Sequence, residues 1–135
     1  MSGVLVDTNV LLDILEDDPD WAFWSGRALA LAASSGTLVM NPVVYAEVSV
    51  EFTTIEDVEH ALPSYAWQRE PIPFEAAFLA GKAYLEYKSR GGLRRSLLPD
   101  FLIGAHAAVA RHTLLTRDGA RYKTYFPTVK LIAPE

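Results

Sequence analysis

Three consecutive apolar residues, Val4-Leu5-Val6, run directly into an acid, Asp7. A strand of this kind has no polar face to turn to water, so both of its faces must be covered. That is the situation of a strand inside a parallel sheet with helices on either side. In open α/β sheets, ligands bind at the carboxyl ends of the strands, where the strand order reverses. Asp7 is therefore a site candidate by position alone.

The chain has 135 residues, half of them hydrophobic, which is enough for one domain with a core and too few for two ordinary ones. Residues 1–135 are accordingly expected to form a single domain. With no cysteine, disulfides, thiolate metal sites and a cysteine nucleophile are excluded, and the chain suits a reducing cytoplasm. Charge, Gly or Pro interrupts every apolar run before the roughly 20 residues of a membrane span, and no basic region precedes the first apolar stretch. The expectation is a cytoplasmic protein without membrane attachment. The net charge of −5 is unevenly spread: residues 1–79 hold thirteen acids against Arg27 and Arg69, and residues 80–135 hold the other ten basic residues against four acids. If the halves fold onto different faces, an acidic protein still offers a cationic surface to a polyanion.

Along the chain, a short helix follows Asp7 through Val10, Leu11, Ile14 and Leu15, and Pro19 opens a second one that Ser35-Gly36 closes. Thr37 to Met40 reads as a strand, and Asn41-Pro42 starts a helix to Phe52. Thr53-Thr54-Ile55-Glu56 resembles a capping box for a helix to Leu62, with a connecting loop through Pro63 and Pro71-Ile72-Pro73. A longer helix runs from Phe74 to about Ser89, and the Gly91 to Leu98 segment, with Arg94-Arg95, reads as a mobile basic loop. Pro99 begins an apolar helix to Ala110. Thr113 to Thr116 is a strand, Arg117-Asp118-Gly119 a turn, and Val129 to Ile132 a last strand. Strands alternating with helices predict an α/β fold, a three-layer α/β/α sandwich around a central parallel sheet.

Most acids, Asp13, Asp17, Asp57 and Glu86 among them, read as solvated or as helix-end residues. Four have less ordinary settings. Asp7 ends the first strand, Glu47 borders an apolar helix stripe, Asp100 opens a helix, and Asp118 follows a later strand. Each also has a structural explanation: a cap for Asp7, a dipole contact for Asp100, a turn for Asp118. Glu47 is hardest to explain so, because an acid beside an apolar face is rarely buried without a partner. The predicted fold gathers these acids along one sheet edge. Carboxylates that close raise one another's pKa, and a divalent cation is the simplest compensation. Oxygen-only donors point to Mg²⁺ or Mn²⁺, and such ions complete their shells with phosphate oxygens, which makes phosphodiester hydrolysis a natural reaction. His106, and Trp21 with Trp24, are read as core or partner-facing.

The ordered pieces Val4-Leu5-Val6-Asp7-Thr8-Asn9, Tyr45-Ala46-Glu47, Pro99 to Ala107, Leu115-Thr116-Arg117-Asp118 and Tyr125-Phe126-Pro127 span nearly the whole chain. In them the sequence resembles the PIN-domain ribonucleases, and within these the VapC-type toxins of toxin-antitoxin pairs. The resemblance implies an endoribonuclease that depends on Mg²⁺ or Mn²⁺ and uses metal-activated water. By motif, Asp7, Glu47, Asp100 and Asp118 would form the catalytic, metal-binding pocket, with Thr8, Asn9 and Thr116 supporting it by hydrogen bonds. It further implies an RNA substrate, a cognate antitoxin that blocks the pocket, and a homodimer. Arg94, Arg95, Arg117 and Lys123 are the candidates for phosphate contacts.

Three other readings compete. A receiver-like signalling domain would want adjacent acids after the first strand and a late lysine, where this chain has Asp7-Thr8-Asn9 and Arg117-Asp118. A haloacid-dehalogenase-like phosphatase would want a second acid at the place of Asn9. A PIN fold used only for binding RNA or protein is disfavoured by the presence of all four acids.

Overall fold

The computed structural model describes residues 2–92 and 97–135. Arg94 and Arg95, within the half of the basic loop at 93–96, lie outside these residues. Among the described residues the element order is β1 (Val4–Val6), α1 (Thr8–Leu15), α2 (Ala22–Ser35), β2 (Leu38–Met40), α3 (Pro42–Ser49), α4 (Ile55–Ala61), β3 (Gln68–Arg69), α5 (Phe74–Ser89), α6 (Leu98–Ala110), β4 (Thr113–Leu115), α7 (Gly119–Tyr125) and β5 (Leu131–Ile132).

The sheet order is β3-β2-β1-β4-β5, with every pairing parallel. This is the expected central parallel sheet between helical layers. The chain moves outward from β1 to β2 and β3, then returns to β4 on its other side, so the strand order reverses beside β1 and Asp7 leaves the sheet at that point. Leu5, Val6, Val39, Leu114 and Leu115 are fully buried, as their unbroken apolar runs require. Each such side chain contributes about 1.5–3 kcal/mol relative to exposure.

Local chemistry sets several of the boundaries. Asn41 caps α3 by accepting the Val44 N–H at 3.0 Å, with Pro42 in the first turn. Thr54, rather than Thr53, caps α4 through the Asp57 N–H. Asp18 Oδ1 accepts the N–H groups of Asp20 and Trp21, which delays α2 to Ala22, beyond the start expected at Pro19.

Two elements were not anticipated. The loop expected between Pro63 and Pro73 contains the edge strand β3, and the turn at Arg117-Asp118-Gly119 leads into the helix α7. Gly104 lets α7 and its C-cap Phe126 close on α6: a Cβ there would stand 2.6 Å from the Phe126 ring and 2.9 Å from Tyr122.

Candidate metal centre

Asp7 is the N-cap residue of α1 by backbone position, but its side chain makes no cap hydrogen bond. It turns instead to the neighbouring strand end and to α7. Thr116 Oγ1 donates to Asp7 Oδ2 at 2.8 Å, and the Tyr122 hydroxyl donates to the same oxygen at 2.9 Å. Asp7 is 3% exposed. Burial raises its pKa to about 6, and the nearby Asp100 charge adds to the rise, against the lowering effect of the two hydroxyl donors. Tyr122, fully buried, is pushed well above the ordinary phenol range by burial and by the Asp7 and Asp100 charges.

The other acids arrive from different elements. Glu47, half-buried on α3, accepts the Thr8 hydroxyl at 2.7 Å. Asp100 lies in the first turn of α6. Asp118 follows β4, and its backbone N–H donates to Thr116 Oγ1 at 3.0 Å, so one threonine orients both Asp7 and the Asp118 backbone. Asn9 Oδ1 accepts the Arg117 N–H at 3.2 Å. Thr8, Asn9 and Thr116 thus each hydrogen-bond at this strand edge. The donor set is all oxygen and anionic, and a buried carboxyl whose pKa is raised by a neighbouring carboxylate is a charge in need of compensation. These residues fit a hard divalent cation.

Two residues that the sequence did not single out belong to this site, both on the unanticipated α7. Tyr122 is one. The other is Arg121, whose Nη1 lies 2.7 Å from Asp100 Oδ2 and 3.0 Å from Asp118 Oδ2. Their only prior signal was position, three and four residues beyond Asp118.

One expectation needs correction. Asp13, read as a solvated or helix-end acid, is 2% exposed; it accepts Ser25 Oγ at 2.7 Å and a two-point contact from Arg117 at 2.8 and 2.9 Å. Arg117, a candidate phosphate contact, is engaged by that pair and lies over the Trp21 ring. Lys123 is exposed.

A second ligand-type cluster joins Glu70, His106 and His112, the described His, Asp and Glu set whose ligand atoms fall within 4.8 Å of one another. Its hydrogen bonds do not suit a metal. His106 Nδ1 faces the Asn41 amide N–H at 3.0 Å, and that amide is oriented by the Val44 N–H on its oxygen. His112 Nδ1 accepts the Gly3 N–H at 2.9 Å. Both rings therefore carry their proton on Nε2 and donate it to Glu70 Oε1, at 3.1 and 2.7 Å, which leaves no Nε2 lone pair for an ion. His106 is core, as expected.

The PIN domain family model matches residues 4–127. The chain belongs to the PIN domain family. This PIN domain resembles chains in VapBC-1 from nontypeable Haemophilus influenzae (TM-score 0.72, 18% identity, 96% of each chain covered). It also resembles a toxin-antitoxin complex from Klebsiella pneumoniae (TM-score 0.69, 21% identity, 98% of each chain). A third likeness is to VapBC2 from Rickettsia felis bound to a promoter DNA fragment (TM-score 0.68, 20% identity, 96% of this chain and 97% of that one). No curated protein matches by sequence. Family membership sets aside the receiver-like and phosphatase readings.

Proposed function

We propose that this PIN domain is a metal-dependent endoribonuclease, the toxin of a toxin-antitoxin pair, which hydrolyses RNA phosphodiester bonds. The observation that carries the reading is Asp7: a buried carboxyl held by two hydroxyls through one oxygen, at the point where strand order reverses, with its pKa raised in part by a second site acid.

Thr116 and Tyr122 occupy Asp7 Oδ2 and so leave Oδ1 as the oxygen for an ion. Glu47, aligned by Thr8, and Asp100 and Asp118 supply the remaining carboxylates. Bound Mg²⁺ or Mn²⁺ would supply an activated water and charge stabilisation at the scissile phosphate. Lys123, with Arg94 and Arg95, is proposed to contact the RNA backbone, so charge removal there should flatten the salt dependence of binding. The likeness to chains of VapBC complexes supports a protein antitoxin. Phe74, Phe78 and Leu85 form an exposed stripe along α5, which supports self-association. Among the described residues no helix is long and apolar enough to cross a membrane, and with the lack of cysteine this supports a cytoplasmic protein.

The test is cleavage of a structured RNA pool by antitoxin-free protein with Mg²⁺ or Mn²⁺, set against EDTA and Asp100→Asn. Loss in both controls and products with 5′-phosphate and 3′-hydroxyl ends are expected. Cleavage that survives EDTA would overturn the mechanism. Absence of both cleavage and Mn²⁺ binding would favour a PIN fold that only binds RNA or protein.

A further inference from the structure

Arg121 stands among the acids as a cation already in place. One guanidinium nitrogen bridges Asp100, from the first turn of α6, and Asp118, from the segment after β4, at 2.7 and 3.0 Å. The side chains of Arg121 and Asp100 are 22% and 23% exposed, and that of Asp118 is 40% exposed. The contact is therefore sheltered but still open to solvent. The Asp100 oxygen that accepts an Arg121 N–H and the Asp118 oxygen ion-paired to the same nitrogen are the kind that a hard divalent cation takes, and an oxygen turned to a guanidinium is turned away from an ion. The four acids do not contract into a set with ligand atoms within 4.8 Å. Arg121 holds two of them in an arrangement suited to a guanidinium.

We propose that Arg121 is a built-in counter-ion, which offsets one of the two negative charges of Asp100 and Asp118 in the metal-free chain, competes with a divalent cation for them, and is displaced when one binds. The inference rests on the reading of these acids as metal ligands. It differs in sign from a purely structural role. If Arg121 only tied α7 to α6, its loss would disorder the carboxylates and weaken metal binding. If it competes, its loss strengthens binding.

The experiment is Mn²⁺ titration of the full, antitoxin-free chain by calorimetry, comparing wild type with Arg121→Gln, Arg121→Lys and Asp100→Asn. Competition predicts roughly three- to tenfold tighter Mn²⁺ binding for Arg121→Gln and near wild-type binding for Arg121→Lys, which keeps the charge. Unchanged or weaker binding by folded Arg121→Gln overturns the proposal. If wild type binds no Mn²⁺, or Asp100→Asn binds as wild type does, the metal-site reading fails instead. A readout in unmodified protein covers the case in which Arg121→Gln does not fold: the Arg121 Nε–H resonance should move on addition of Mg²⁺ and stay still in Asp100→Asn. A resonance unmoved by saturating Mg²⁺ in the wild type overturns displacement.

Discussion

Asp7 must be ionised to attract a cation, yet it occupies a place where ionisation is costly. Its folded pKa of about 6 lies above the ordinary aspartate value of 3.8. Between those two values the folded state binds more protons than the unfolded state, so this group's contribution to stability falls as pH rises from 4 to 6 and stays low above that. The displacement corresponds to about 3 kcal/mol at neutral pH. Asp7→Asn keeps an oxygen for the Thr116 and Tyr122 hydroxyls and removes the charge. It is expected to be more stable than wild type by about 1–3 kcal/mol at pH 7.5 and no more stable at pH 3.5, where the wild-type carboxyl is protonated in the folded state and mostly protonated in the unfolded one. Urea unfolding at the two pH values checks this, and a less stable Asn variant at pH 7.5 would contradict the assigned strain. If Asp7 holds a divalent cation as proposed, Mn²⁺ affinity is expected to fall as pH drops below about 6.

At the level of elements, the parts of the fold that could be read in advance were those whose signals are local. β1 and β2 are unbroken apolar runs, β4 is apolar after its opening Thr113, and α3 has its Asn-Pro start. β3 has no such signal, because Gln68 and Arg69 are both exposed and the strand exists through its pairing with β2. α7 begins at a glycine and resembles a turn until Tyr122 and Phe126 bury themselves against Gly104. The four candidate acids stand out by position, whereas the two α7 residues that contact Asp7, Asp100 and Asp118 do not. Asp13 shows the same limit. Its helix position looked ordinary, and the partner that explains its burial, Arg117, lies 104 residues away. Arg117 is one-third exposed, so solvent tempers the loss, but its removal leaves a buried carboxylate with Ser25 as its remaining described hydrogen-bond donor. Arg117→Ala is expected to cost about 1–3 kcal/mol and to leave the salt dependence of RNA binding unchanged. A thermally neutral variant with a flattened salt slope would return Arg117 to the RNA.

Across the molecule, the Glu70–His106–His112 cluster joins β3 and β4, which do not pair directly in the sheet, to helix α6. Glu70 follows edge strand β3, His106 lies in α6, and His112 precedes β4; Asn41 after β2 and Gly3 before β1 hold the two rings from behind. Burial lowers the His106 pKa, outweighing the opposing effect of Glu70. The unfolded state therefore takes up a proton first, and stability is lost as pH falls below about 6.5, opposite in sign to the contribution of Asp7. A proton added to His106 Nδ1 would also face another donor, the Asn41 amide, so protonation of His106 should loosen the cluster. Glu70 is the shared acceptor. In Glu70→Ala both buried Nε2–H groups lose it, at a cost of about 2–4 kcal/mol, whereas Glu70→Gln keeps an oxygen able to accept both and should lose less than half as much. Urea unfolding at pH 7.5 separates the two variants. Equal losses would mean that the carboxylate charge, rather than the acceptor geometry, holds these segments together, and addition of Zn²⁺ should stabilise neither variant above wild type.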